Sequence, residues 1–170
     1  MKKTFLFIAL IISCTTWAQK LIKPTDSLII SGEIKKTMIF SLADIDKLIS
    51  VNIKDIPITN HLGEAKGTAK NLKGVLLKNL IDQAEFNAGN PKLLSEFYFV
   101  FHASDGYKVI FSWNEIYNTQ TGNNLYIITE KEGKKMKEMD ERILVLSSTD
   151  LKTGRRYIKG VEKIIVERAD

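Results

Sequence analysis

The chain has 170 residues, 44% of them hydrophobic, with 25 basic and 20 acidic side chains and a formal net charge of +5. This length and apolar fraction predict one domain that buries its own core. The positive charge is modest and well mixed with acidic residues, which argues against a nucleic-acid-binding protein.

The first eighteen residues have the composition of a secretory signal peptide. A basic start, Lys2-Lys3, precedes the unbroken apolar run Phe5–Ile12, and small residues lead to Ala18. The run is too short to span a bilayer, so we expect cleavage after Ala18 and an exported protein, periplasmic or extracellular. Residues 11–14, Ile-Ile-Ser-Cys, also resemble a bacterial lipoprotein box, and lipidation of Cys14 would instead anchor the protein to a membrane.

Cys14 is the only cysteine of the chain, and it lies inside this export segment. Cleavage would leave 170 − 18 = 152 residues, with 25 − 2 = 23 basic and 20 acidic side chains and no thiol. Such a body has no disulfide, no zinc–thiolate site and no cysteine nucleophile. We expect residues 19–26 to form an N-terminal tether and residues 27–170 to form a single domain.

The first half of the body alternates between strand and helix patterns. Alternating or β-branched residues predict strands over 28–34 and 37–40, and one edge strand over 51–59. Between them, Ser41 followed by Asp44 marks the start of a helix. A hairpin is expected over 60–73. A second helix is then predicted, led by Gly74–Leu77 and with its apolar face formed by Leu76, Leu77, Leu80, Ile81 and Ala84.

The second half contains the clearest local signal. Two aromatic and β-branched runs flank Ser104-Asp105-Gly106, which predicts a hairpin over 97–112, and Ser112 followed by Glu115 predicts a helix start. Further strands are expected over 125–130 and 143–147. Residues 157–167 are expected to form one bent strand or two short ones. Many strands with a few short helices indicate an α+β fold with mixed β-sheets.

Four segments carry glycine, apolar and charged residues in a characteristic order. They are Ser31–Lys36 with Phe40–Ile45, Lys73–Ala84, Asp105–Tyr107 with Ser112–Ile116, and Arg142–Leu146 with Arg155–Val161. Together they resemble the molybdopterin-binding domain of sulfite oxidase-type oxidoreductases, in its short stand-alone form. The resemblance implies that fold and a molybdopterin-type cofactor or a related anionic ligand.

The chain departs from this family where the metal is bound. Catalytic members hold molybdenum through a cysteine thiolate, expected upstream of Gly74, and residues 60–73 contain no cysteine. The proline after the "l-R-l-v-v" strand is replaced by Ser147-Ser148. The "S-x-K-W" signature is matched only by Gly154–Tyr157, which keeps a cation and an aromatic ring. These departures argue against thiolate–molybdenum catalysis and predict neither catalytic nor metal-binding residues.

A cationic closing segment is the candidate ligand site. It contains Lys152, Arg155, Arg156 and Lys159 beside Gly154, and arginine and lysine favour phosphate or carboxylate groups. The resemblance implies that Asp105, Gly106 and Tyr107 border the same cleft, and His102 in the preceding strand is included as a candidate. Alternatively, Tyr157 and Ile158 enter the core while the cations face water.

Three hypotheses follow. The first is a cysteine-less, exported relative of the molybdopterin-binding domain that binds a small anionic ligand. The second is a non-enzymatic accessory module that binds a redox partner in the cell envelope. The third is an enzyme that uses His102 and Asp105, and the sequence favours a non-enzymatic function over it.

Overall fold

The computed structural model describes residues 21–169, so the predicted signal peptide, Cys14 and the lipoprotein box lie outside the described residues. The strands in chain order are β1 (Ser27–Gly32), β2 (Met38–Ser41), β3 (Val51–Ile53), β4 (Ile56–Thr59), β5 (Ala65–Ala69), β6 (Leu72–Leu76), β7 (Phe97–Ala103), β8 (Lys108–Ser112), β9 (Leu125–Lys131), β10 (Lys134–Lys135), β11 (Leu144–Ser147), β12 (Ile158–Lys159) and β13 (Val161–Arg168). The α-helices are α1 (Leu42–Asp46), α2 (Lys78–Ile81) and α3 (Trp113–Tyr117), and 3₁₀ turns occupy Pro91–Glu96, Met136–Glu138 and Thr153–Arg156.

Two sheets form the body. The five-stranded sheet has the order β2-β1-β13-β7-β8, with β1 parallel to β13 and the other pairs antiparallel. The six-stranded sheet has the order β12-β11-β9-β6-β3, with β10 attached to β9, while β4 and β5 pair as a separate hairpin. Buried side chains of both large sheets belong to one hydrophobic cluster, so the predicted mixed α+β architecture is confirmed.

Local signals place several elements as expected. The hairpin β7–β8 turns at Gly106, whose φ of +87° is the left-handed conformation that glycine adopts freely. Helix α1 begins with a capping box, in which the Ser41 side chain accepts a hydrogen bond from the Asp44 amide. Hydrogen bonds from Ser41 and Lys47 lower the pKa of Asp44 to about 2.

Two predictions are wrong in their bounds. Residues 51–59 are not one edge strand, because β3 joins the six-stranded sheet whereas β4 pairs with β5. The helix predicted from Gly74 is largely strand, since residues 72–76 form β6 and α2 covers only Lys78–Ile81. A short apolar run fits a buried strand as well as a helix, and pairing of β6 with both β3 and β9 decides between them.

The ends of the described chain are tied to the body. Lys23, in the predicted tether, exchanges hydrogen bonds with the Ser104 hydroxyl through its amide and carbonyl, at 2.9 and 2.7 Å. At the other end, Gly160 with φ +62° separates β12 from β13. The strand region predicted over 157–167 is therefore two strands, which belong to two different sheets. Within residues 21–169 there is no helix long and apolar enough to cross a membrane.

Candidate functional site

The 3₁₀ turn Thr153–Arg156, which carries the predicted cations, is fixed against strand β4. The buried Thr153 hydroxyl donates to the Pro57 carbonyl at 2.6 Å and accepts from the Thr59 amide at 3.1 Å. Gly154 lies so close that a Cβ atom there would stand 1.9 Å from the Thr59 carbonyl oxygen. The backbone of this turn is therefore positioned by β4 rather than by a ligand.

Arg156 is an internal ion-pairing residue. Its Nε and Nη2 atoms donate to both carboxylate oxygens of Asp150, at 2.7 and 2.5 Å, and Nη1 donates to Glu115 at 2.8 Å. The guanidinium carbon also lies 4.4 Å from the centre of the Phe111 ring. Two carboxylates thus already neutralise this cation, and an anionic ligand would have to displace one of them to reach it.

The partners of Arg156 hold it charged. Hydrogen bonding to Asp150 raises the pKa of Arg156, which outweighs the opposing effect of burial. Burial alone would raise the pKa of Glu115, but the Ser112 amide and Arg156 outweigh it and lower that pKa. Glu115 also completes the capping box of α3, so the network joins α3, β8 and the Asp150 loop to the 3₁₀ turn.

Arg155 lies beside the hairpin turn that carries Asp105, Gly106 and Tyr107. The Tyr107 hydroxyl donates to the Arg155 carbonyl at 2.6 Å, and the Asp105 carboxylate accepts from the Tyr107 amide at 2.8 Å. The structure therefore brings Asp105, Gly106 and Tyr107 to the 3₁₀ turn through the Arg155 backbone. The Arg155 side chain is exposed and forms no ion pair within the described residues.

Lys159 lies in a different depression, which we call the lysine groove. The groove has a volume of about 350 Å³ and is lined by Lys66, Lys131, Lys159, Tyr157 and Glu132 together with residues of β4 and β5. The Lys159 ammonium lies 5.4 Å from the centre of the Tyr157 ring. Burial disfavours the Lys131 ammonium, but its hydrogen bond to Glu141 prevails and raises the pKa of Lys131.

A larger cleft opens beside β3 and β4. It has a volume of about 720 Å³ and is lined by β3, β4 and the loop that carries Asp150. The charged residues at its wall are Lys54, Asp55 and Asp150, of which Asp150 is neutralised by Arg156. The cleft therefore has no excess of positive charge, and the lysine groove is the better place for an anion.

His102 points away from Arg156. Side chains alternate along β7, and Phe101 on the inner face packs against Phe111, the ring that Arg156 covers. His102 therefore lies on the outer face of the sheet, paired in register with Lys108 and Lys163. Burial and then the charges of these two lysines lower the pKa of His102.

The donor set does not fit a thiolate-bound molybdenum centre. Residues 15–170 contain no cysteine, and among residues 21–169 no group of three or more His, Asp or Glu side chains is placed to hold a metal ion. The partners Asp150 and Glu115 and the groove residues Lys66 and Lys131 were not predicted as site residues. Two of them carried a local signal, Glu115 as part of a capping box and Lys131 as the start of the basic run Lys131–Lys137.

Comparisons with known proteins support the fold alone. No family model matches the chain, and no curated protein matches it. The crystal structure of the sulfane dehydrogenase SoxCD from Paracoccus pantotrophus is similar, with a TM-score of 0.60 and 12% sequence identity. The match covers 82% of this chain and 37% of that chain. The chain thus has the α+β fold of a sulfite oxidase-like molybdenum enzyme, at a distant level of similarity, and spans about a third of the length of that neighbour.

Proposed function

We propose that the protein is an exported relative of the molybdopterin-binding domain that binds a small anionic ligand without thiolate–molybdenum chemistry. The fold similarity and the missing cysteine support the family assignment and the loss of the metal. The signal-peptide composition of residues 1–18 supports export. The observation that carries ligand binding is the convergence of Lys66, Lys131 and Lys159 on one groove.

The charges of the groove favour an anion of low charge. Three ammonium groups face Glu132 and the Glu141 carboxylate that pairs with Lys131, which leaves a net charge of about +1. Lys66 and Lys159 form no ion pair within the described residues, so their ammonium groups are available to a phosphate or carboxylate. Burial raises the pKa of Tyr157, so this phenol, like an ordinary tyrosine, is protonated at neutral pH.

Arg156 is not the ligand anchor in this proposal. Its guanidinium already binds two carboxylates. Removal of Arg156 should therefore lower the stability of the fold, and any effect on ligand affinity should follow from that loss. Arg156 is thus assigned to the ion-pair network and Lys159 to the ligand, whereas the sequence alone suggested that every cation of the closing segment could bind the ligand. This assignment identifies Lys159 as the member of the predicted set that contacts the anion.

The proposal is tested by titration and by analysis of native material. Inorganic phosphate and pyrophosphate are titrated calorimetrically into the purified protein and into Lys66→Ala and Lys159→Ala variants. Each variant should lose about 10- to 150-fold in affinity, because a hydrogen bond to a charged group contributes roughly 1.5–3 kcal/mol. The exposed Lys137, which lies outside the groove, provides the control variant Lys137→Ala.

Protein purified from its own host should release a bound anion detectable by mass spectrometry and should contain no stoichiometric molybdenum. An equal loss of anion affinity in Lys137→Ala and Lys159→Ala would refute the assignment of the anion site to the lysine groove. Stoichiometric molybdenum would refute the loss of metal chemistry. Cell fractionation with amino-terminal sequencing should find the mature protein outside the cytoplasm, beginning at Gln19.

A partner-binding accessory module is the second candidate function. Leu151 favours it, because this side chain lies at the larger cleft beside β3 and β4 and is 97% exposed. Absence of anion binding, combined with loss of partner capture in Leu151→Ser, would favour this second function over the first.

A further inference from the structure

The outer face of the five-stranded sheet carries an apolar stripe that crosses β13, β7 and β8. Side chains of alternate residues point to this face, and each of the five strands contributes one aliphatic residue to it. Ile165, Val100 and Ile110 are paired in register across β13, β7 and β8 and form the stripe, whereas Ile29 and Ile39 lie in the neighbouring row, beside Lys163. The residues on the two edge strands, Ile39 and Ile110, are 66% and 58% exposed.

Charges of opposite sign lie on the two sides of the stripe. On one side, His102 of β7 pairs in register with Lys163 of β13 and Lys108 of β8, which makes this side basic. On the other side, Glu167 of β13 accepts a hydrogen bond from the Tyr98 hydroxyl at 2.7 Å. Glu167 lines a surface recess of about 930 Å³ together with Glu33 and Glu96, so this side is acidic.

We propose that this face docks onto the same face of a second copy of the chain, in a symmetric dimer with its two-fold axis parallel to the stripe. Rotation by 180° about that axis stacks stripe on stripe and reverses the strand direction across the interface. The basic side of one copy then faces the acidic side of the other. The dimer would contain two equivalent ion pairs, each between Lys163 of one copy and Glu167 of the other. A two-fold interface must be self-complementary, and this arrangement meets that condition.

The composition of the face also determines how strong the dimer is. The stripe is one residue wide on three strands, its middle residue Val100 is only 8% exposed, and Arg168 beside Glu96 offsets part of the acidic charge. The buried apolar area is therefore below that of an obligate dimer, and association should be reversible and dependent on concentration. The charged sides fix the orientation of the two copies and make association weaker at high salt.

Sedimentation velocity of the purified protein across a concentration series tests the proposal. The wild type should show a monomer–dimer equilibrium that shifts toward monomer as salt is raised. Ile110→Lys should remove the dimer, and Leu62→Lys, which changes a similarly exposed aliphatic residue in the turn between β4 and β5, should leave it unchanged. A monomer at every concentration, or a dimer that persists in Ile110→Lys, overturns the proposal.

Charge reversal tests the orientation of the two copies. Lys163→Glu alone and Glu167→Lys alone should each raise the dimer dissociation constant about tenfold, because each creates two like-charge contacts. The double variant, Lys163→Glu with Glu167→Lys, should restore dimerisation, since it exchanges the charges of both contacts. Circular dichroism confirms folding of each variant. A double variant that dimerises no better than the single variants refutes the two-fold arrangement.

Discussion

Replacement of Arg156 by alanine should destabilise the protein strongly although the side chain lies near the surface. The substitution removes three hydrogen bonds to carboxylates and the contact with the Phe111 ring. The Asp150 side chain is only 7% exposed, so it would be left as an almost buried, uncompensated carboxylate. Loss of one partner from a buried ion pair costs more than the pair itself contributes, because the remaining charge stays desolvated.

The magnitude follows from the exposure of each partner. Breaking the pair with Asp150 belongs to the buried class, for which the loss is roughly 3–5 kcal/mol, and the 23% exposure of Arg156 places it at the lower end. The pair with Glu115, whose side chain is 38% exposed, adds about 0.2–1 kcal/mol, as surface pairs do. We therefore expect Arg156→Ala to lower the free energy of unfolding by about 3–4 kcal/mol.

Urea denaturation at pH 7, followed by tryptophan fluorescence and circular dichroism, measures this loss. The neighbouring exposed Arg155 supplies the control, because Arg155→Ala leaves the Tyr107 contact with the backbone intact and should change stability by less than about 0.5 kcal/mol. The double variant Arg156→Met with Asp150→Asn should be more stable than Arg156→Ala, since the almost buried Asp150 carboxylate is gone and only the more exposed Glu115 loses its partner. If Arg156→Ala lost less than about 1 kcal/mol, the network would not be a structural element and the reasoning would be refuted.

Two other predictions concern acid stability and the turn packed on β4. The pKa values of Glu115 and Glu141 are lowered in the fold, so their stabilisation is present above the ordinary value of 4.5 and is lost as the pH falls through the lowered values. Urea midpoints should therefore decrease below about pH 4.5, less steeply in Glu141→Gln, and an unchanged midpoint at pH 3 would contradict this. Gly154→Ala should cost about 1–3 kcal/mol in the same assay, because its Cβ would overlap a backbone oxygen, whereas Gly89→Ala, with no atom within 4 Å, should be nearly neutral.

Elements defined by neighbouring residues were predictable from the sequence. The β7–β8 hairpin follows from two aromatic runs around Ser104-Asp105-Gly106, and the starts of α1 and α3 follow from Ser and an acidic residue three positions later. These signals are local because the hydrogen bonds that they describe join residues at most a few positions apart. The same is true of Tyr107, whose amide is bound by Asp105 two residues before it.

Elements that depend on distant partners were not predictable. The break between β3 and β4 arises because the two strands pair with different neighbours, and the short α2 arises because β6 is held between β3 and β9. Likewise, a cluster of cations in sequence does not show which of them is paired. Arg156 pairs with Glu115, which lies 41 residues earlier in the chain, and only the tertiary fold brings the two side chains together.

This difference in pairing makes stability and binding separable in the closing segment. Arg156 joins α3 and the Asp150 loop, so its loss should lower stability first and affect any ligand only through the fold. Lys159 contacts the Tyr157 ring at the groove and pairs with no carboxylate within the described residues, so its loss should weaken an anion and leave unfolding nearly unchanged. If Lys159→Ala and Arg156→Ala instead changed stability and anion affinity in the same proportion, Lys159 and Arg156 would belong to one site. The lysine groove would then not be distinct from the ion-pair network of Arg156.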